Sequence, residues 1–327
     1  MERNKVLDAT KYLLIVLVVI GHFIEPSRDS NPVSSCLYCV IYSFHMPLFV
    51  IISGYFSKRR SIDEELRRCV PLLEICILSH IGFLIISEGI NIPFKSLLYF
   101  WGDPAWYLLC LIYWRIGTNL LLTRFTTKQI LYFSIIVDFM SFLGIRHGGF
   151  LSIERGIAFY PFFMLGYCLK DHLDNLLDKF KGIFLVSGVL SLIFIIITSS
   201  PLQFQIEFQR AGIVDLSKIA NIDLHLLLIY RYILLLCAVC ISGLVVIIIS
   251  MSEKIQKIAI WGRRTLFIYF IQTFALAVIR KYDVTLLESL SIAITTIPIM
   301  TYLAKLEWSK YIMTPICSTI ELLDVKR

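Results

Sequence analysis

The chain has 327 residues, 57% of them hydrophobic, with a mean hydropathy of +0.77 and a formal net charge of +7. So apolar a composition excludes an ordinary soluble domain and places the chain among polytopic helical membrane proteins. The positive charge is no nucleic-acid signal, because Lys and Arg are shared among the segments between apolar runs rather than gathered in one patch.

In chain order the hydrophobic pattern predicts about ten helical spans: 5–24, 37–57, 70–88, 104–122, 128–144, 155–169, 182–199, 224–250, 260–279 and 286–303. The sixth and tenth are the weakest. With the N-terminus in the cytoplasm, that side collects clusters such as Lys58-Arg59-Arg60, Arg67-Arg68 and Arg263-Arg264, and the opposite side holds far fewer cations. The bias predicts an N-in, C-in, all-α bundle forming one integral membrane domain over 1–327. The first run has Glu2 and Asp8 beside its basic residues and ends in Gly21-His22-Phe23 without a small-residue cleavage site, so it is expected to stay as an anchor. Nine cysteines are scattered, mostly within spans, as apolar packing residues; Cys36 and Cys39 are the pair placed to oxidise. The polar stretch 199–223, with Glu207, Arg210 and Asp215, is expected to loop over the outer face.

Within span one, Lys11 and His22 lie eleven residues apart, about 20° past three full helical turns, so their side chains share a face about 16 Å apart along the axis. An ionisable group at membrane depth is costly and marks a functional site by default. Lys11 snorkelling to headgroups, with His22 bonded to a neighbouring helix, is the structural alternative. His45 stands in Ser43-Phe44-His45-Met46-Pro47, where Pro47 removes a backbone donor and predicts a kink at a cavity wall. The segment from Lys58 to Arg68 reads as a cytoplasmic basic loop, suited to anionic lipid or to phosphate; Arg67 and Arg68 are its candidate phosphate ligands. Trp106 and Tyr107 open span four, as an aromatic belt or as a sugar-binding surface. Deeper charges, namely Glu74, His80, Arg115, Asp138 and Arg231, imply internal pairs, for example Arg115 with Glu74 or Asp138. No P-loop, GxGxxG, His-Glu-x-x-His or Cys/His metal cluster is present in the sequence, which makes redox and metal chemistry improbable.

Taken together these pieces resemble the acyltransferase-3 family of integral membrane acyltransferases, in the branch around fucose 4-O-acetyltransferase and related bacterial glycan O-acetyltransferases. The resemblance rests on Arg3…Asp8…Lys11…Gly21-His22, Ser43-Phe44-His45-Met46-Pro47-Leu48-Phe49 with Ser53-Gly54-Tyr55, Arg67-Arg68, Ala105-Trp106-Tyr107-Leu108, Phe162-Phe163-Met164-Leu165-Gly166-Tyr167 and Gly262…Thr265-Leu266-Phe267-Ile268-Tyr269. It implies a ten-helix protein of the bacterial cytoplasmic (inner) membrane. That protein moves an acetyl group from acetyl-CoA, a substrate rather than a resident cofactor, to a hydroxyl of a surface carbohydrate. It further implies His22 as the essential histidine, acting as general base or acyl carrier, with His45 orienting it, polarising the thioester or binding the acceptor. Lys11, Arg67 and Arg68 then meet the donor, and Trp106 and Tyr107 the sugar. The implied partners are acetyl-CoA, the carbohydrate, the bilayer and glycan-assembly machinery, without nucleic acid or metal. Two departures stand out: Lys11 occupies a position where relatives often carry Arg, and Gln272 one where they often carry His. A transporter or flippase, with His22, Asp138 and Arg231 along its pathway, is the competing class.

Overall fold

The computed structural model describes residues 4–100, 102–142, 149–170, 172–199, 223–307 and 309. Arg3, Arg146, the polar stretch with Glu207, Arg210, Asp215 and Lys218, and Lys310, Lys326 and Arg327 lie outside the described residues. Among the described residues twelve helices follow one another: α1 (Lys5–Ile24), α2 (Pro32–Phe56), α3 (Ile62–Glu88), α4 (Trp106–Leu121), α5 (Thr127–Phe142), α6 (Ile153–Leu169), α7 (Leu173–Lys179), α8 (Lys181–Ser199), α9 (Leu224–Ser250), α10 (Glu253–Gln256), α11 (Thr265–Ile279) and α12 (Leu286–Leu303). Short 3-10 turns extend α1 (Glu25–Ser27), precede α4 (Ser96–Leu98) and follow α10 (Lys257–Arg263). Among the described residues the one β feature is an isolated antiparallel bridge between Tyr99 and Phe150.

Each of the ten apolar segments is helical. Six helices among the described residues are long and apolar enough to cross a membrane: α1 with its 3-10 turn, α2, α3, α8, α9 and α12. The segment Glu253–Arg263 and α11 meet at 73° and make a seventh if taken as one broken span. α4, α5 and α6 run 16, 16 and 17 residues, shorter than the roughly 20 that a straight crossing needs. The surface agrees with a bilayer setting. α8 turns Ile183, Val186, Leu190, Ile193 and Ile197 outward, a contiguous apolar face that water would penalise and acyl chains accept.

Local chemistry explains the helix starts. Asn4, Asn31 and Ser61 accept from backbone N–H groups of the first turns of α1, α2 and α3, and Thr285 with Glu288 forms a reciprocal capping box on α12. Ser61 as a cap begins α3 eight residues before the span read from hydropathy. Arg67 and Arg68 therefore stand on a helix, not in a loop. α2 runs unbroken through Pro47, whose missing N–H strips the Ser43 carbonyl of its helical partner.

α2 and α6 cross at contact distance through glycine. A Cβ on Gly54 would overlap the Phe163 carbonyl, and one on Gly166 would overlap the Ile51 carbonyl, so each helix offers a bare backbone to the other. Near α1, Gly262 lies against the Asp8 carbonyl in the same manner. Elsewhere the bundle buries a charge pair: fully buried Arg231 of α9 donates from Nη2 to Asp138 Oδ1 at 2.8 Å and Oδ2 at 3.2 Å across to α5. Asp138 is thus the partner of Arg231, not of Arg115. Removing one member leaves the other charge in an apolar interior. Asp138→Ala is expected to lower stability by about 3–5 kcal/mol, read as a large drop in melting temperature of the detergent-solubilised protein. The double replacement Asp138→Leu with Arg231→Met should recover most of it.

Candidate functional site: a histidine chamber beside a basic cleft

His22 sits in the last turn of α1, and the chain turns at once into the 3-10 segment that carries Glu25. That turn brings the Glu25 carboxylate to 3.7 Å from His22 Nδ1, while Arg280, the C-cap of α11, donates to Glu25 Oε2 at 2.6 Å. Tyr42 of α2 places its hydroxyl 3.0 Å from the same Nδ1. A carboxylate only accepts, so Glu25 favours the His22 tautomer protonated at Nδ1, with Nε2 as the basic nitrogen.

His45 follows Tyr42 by three residues, on the same face of α2, and their rings meet edge to face at 4.7 Å. Its Nδ1 donates to the Ile41 carbonyl at 2.7 Å. A carbonyl accepts only, so neutral His45 also carries its lone pair on Nε2. The carbonyl it takes is not Ser43's, the one that Pro47 strips. Tyr42 is fixed from behind by Tyr38, with ring centroids 3.9 Å apart.

His22, Tyr42 and His45 line a chamber of about 40 Å³ together with Val18, Met46, Pro104, Trp106, Arg155, Phe159 and Tyr269. A void of that size takes a small group or water, not a sugar ring. On the other side of Tyr269 lies a cleft of about 340 Å³, lined by Lys11, Ser53, Arg60, Arg68, Tyr107 and Arg115 among others. Tyr269 borders both spaces and donates its hydroxyl hydrogen to the Pro104 carbonyl. The first half of α1, the end of α2, the starts of α3 and α11 and α4 from Tyr107 to Arg115 meet at the cleft. The chamber takes the last two turns of α1, the middle of α2 and the start of α4.

The cations of the cleft are held by acids. Arg115 donates to buried Glu65 at 2.5 Å, and Arg60 approaches the other oxygen of Glu65 at 3.7 Å. Glu64 accepts from Arg60 at 2.8 Å and from Arg68 at 3.1 Å. Lys11 pairs with Asp8 at 2.7 Å and lies over the Phe56 ring. The internal partner of Arg115 is therefore Glu65, neither Glu74 nor Asp138.

The structure brings Lys11 and Arg68 together in the cleft and His22, His45 and Trp106 together in the chamber. It separates two residues expected to act with their neighbours. Arg67 is exposed and lines neither space, because adjacent helical residues point about 100° apart. Tyr107, expected beside Trp106 on a sugar, is buried against the cleft, its hydroxyl 2.7 Å from Ser53 Oγ. Arg231 and Asp138 line neither space. Cys36 and Cys39 are free thiols.

Four contributors escaped the sequence reading. Glu25 and Tyr42 had a local signal, each three residues from a histidine on a helical turn. Arg155 and Arg280 reach their sites by tertiary packing alone.

Comparison with known proteins gives the family. A family described as an acyltransferase domain, the acyltransferase-3 family, matches residues 4–305. Nodulation protein NolL of Sinorhizobium fredii is 29% identical over 196 residues, covering 53% of this chain and 50% of that protein. NolL of Mesorhizobium japonicum is 28% identical over 209 residues, covering 57% of this chain and 53% of that protein. The match thus spans about half the length of these curated relatives. No solved structure matches the chain. The family match runs from the first turn of α1 to just past α12, through both the chamber and the cleft, and the chain belongs to the acyltransferase-3 family of membrane acyltransferases.

Proposed function

We propose that the protein transfers an acetyl group from cytoplasmic acetyl-CoA to a hydroxyl of a bacterial surface glycan or its lipid-linked precursor, in the cytoplasmic membrane. In this reading the ten helical segments cross the bilayer with both termini inside. One observation carries it: a small chamber holding two histidines shares the Tyr269 wall with a larger cleft lined by four cations. Phosphates suit the cleft, since guanidinium forks match them bidentately. The arginines are already fixed there by Glu64 and Glu65, so little side-chain entropy is lost when a donor arrives. The pantetheine arm then carries the thioester up to Tyr269, and the acceptor hydroxyl enters the chamber from the opposite end.

His22 is the base. Its Nε2 takes the proton of the acceptor hydroxyl as the oxygen attacks the thioester carbon, and returns that proton to the CoA sulfur as the C–S bond breaks. Glu25 and Arg280 hold the imidazole in the tautomer this requires, and Tyr42 holds its plane. His45, also basic at Nε2, accepts from the acceptor sugar and so aims it. The family match supports acyl transfer as the reaction class.

Three outcomes are expected. His22→Ala abolishes base-labile acetyl on the surface polysaccharide of a complemented null strain, measured by proton NMR before and after mild alkali, at equal protein level; full acetylation by His22→Ala would overturn the assignment. Glu25→Gln retains the fold but slows transfer in membranes about tenfold or more, because the base then spends time in the unproductive tautomer. Arg60→Gln and Arg68→Gln each raise the KM for acetyl-CoA by roughly 10- to 100-fold, the range of one hydrogen bond to a charged group, with kcat little changed. An unaltered donor KM in both variants would move the phosphates elsewhere.

A further inference from the structure

Attack on a thioester moves an electron pair onto the carbonyl oxygen, and that oxyanion needs a donor aimed at it. The two histidines do not supply one in the form the reaction uses. Glu25 and the Ile41 carbonyl bias both rings toward a proton on Nδ1, which makes each Nε2 an acceptor. Tyr269 gives its hydroxyl hydrogen to Pro104; Tyr42, which accepts from His22 Nδ1 in that tautomer, and the Trp106 indole offer only neutral donors, weaker toward an oxyanion than a guanidinium. Val18, Met46, Pro104 and Phe159 offer no donor. The chamber wall also holds a cation: Arg155, in the first turn of α6, 6% exposed, its guanidinium carbon 5.1 Å from the centre of the Trp106 ring.

We propose that Arg155 is the catalytic residue that stabilises the oxyanion of the transferred acyl group, and that Trp106 positions it. This rests on the transferase reading above. The size of the chamber favours the reacting acyl group over a whole sugar ring beside Arg155. At about 40 Å³ the space is on the scale of the acyl group itself, so a group seated there meets His22 and Arg155 at once. The indole supports this division of labour. The Trp106 ring carries the guanidinium, and Phe159 packs at 5.3 Å with its plane tilted by 37°, so stacking on a sugar would have to displace Arg155. A guanidinium lying over an aromatic ring keeps its N–H edge available for in-plane hydrogen bonds. Arg155 Nη1 also reaches the Phe100 carbonyl at 3.4 Å, at the outer limit of a hydrogen bond.

The step balances simply. The acceptor oxygen forms a C–O bond to the thioester carbon, its proton passes to His22 Nε2, and the carbonyl π pair settles on oxygen opposite Arg155. Collapse of the oxyanion restores the carbonyl and breaks the C–S bond, and the thiolate takes the proton from His22. Were His22 itself acylated first, the same oxyanion would form twice.

The test follows acetyl transfer from radiolabelled acetyl-CoA to endogenous glycan in inverted membrane vesicles, with wild type, His22→Ala, Arg155→Met, Arg155→Lys and Trp106→Phe. Arg155→Met is expected to lower Vmax by about 100- to 1000-fold, the usual effect of losing one oxyanion donor, with the KM for acetyl-CoA unchanged. Arg155→Lys keeps the charge without the fork and should recover part of the rate. Trp106→Phe should lower Vmax alone, and less. Melting of each purified variant with and without acetyl-CoA reports fold and donor binding; if Arg155→Met fails to fold, Arg155→Lys and Trp106→Phe carry the test. Vmax within threefold of wild type in the folded Arg155 variants overturns the proposal, as does a loss that excess acceptor glycan restores, which would make Arg155 an acceptor ligand. Inert wild-type vesicles, or fully active His22→Ala, overturn the transferase reading itself, and neither result resembles a defect confined to Arg155.

Discussion

The Glu25 carboxylate joins the end of α1 to the end of α11. Arg280 donates to it from one side, and the His22 ring lies 3.7 Å away on the other. Arg280 meanwhile donates to the Gly102 carbonyl at 2.8 Å, so the same cation that fixes Glu25 also fixes the connector leading into α4. That connector is gripped along its length: Arg155 at Phe100, Asp103 by His80, Tyr269 at Pro104 and Cys76 at Ala105. Backbone carbonyls between helices lack ladder partners, and burying them requires donors from elsewhere. Here the donors come from α3, α6 and α11, and their convergence makes an irregular segment into a rigid wall of the chamber.

α2 supplies the second constraint. One stretch of it gives Tyr42 and His45 to the chamber, and the next two turns give Phe49, Ile52, Ser53 and Phe56 to the cleft. Its depth and rotation are set by the bare backbone crossing with α6 at Gly54 and Gly166. Because α6 also carries Arg155 and Phe159, that crossing fixes both walls of the chamber relative to each other. A side chain at either glycine would push the helices apart and widen the chamber between them.

How much of this was legible in the sequence follows from the range of each interaction. Helical period put Lys11 and His22 on one face, and they do line successive spaces along α1. Composition marked ten apolar segments, and each is helical over its described residues, the ninth broken by a 73° bend at Arg264. The hydropathy edge misplaced the start of α3, since Ser61 caps a polar first turn that no apolar scale registers, and Arg67 consequently turned away from the cleft that Arg68 lines. Partner choice was opaque for the same physical reason throughout. Any buried cation needs an anion, but which one depends on helix neighbours that share no local pattern. Arg115 took Glu65 on α3, and Arg231 took Asp138 on α5. Trp106 and Tyr107 are adjacent in sequence, yet helical geometry sends them to different spaces.

That separation has a chemical consequence. A donor with several phosphates and an acceptor with many hydroxyls have no common solvent inside a bilayer, and each would pay heavily to enter the other's site. In the proposed reaction the bundle keeps them apart: charge would be met by Lys11, Arg60, Arg68 and Arg115 in a cleft of about 340 Å³, while the chamber of about 40 Å³ offers two basic nitrogens and one guanidinium. Tyr269 borders both spaces, so in the proposed reaction the donor and the acceptor would meet at its ring.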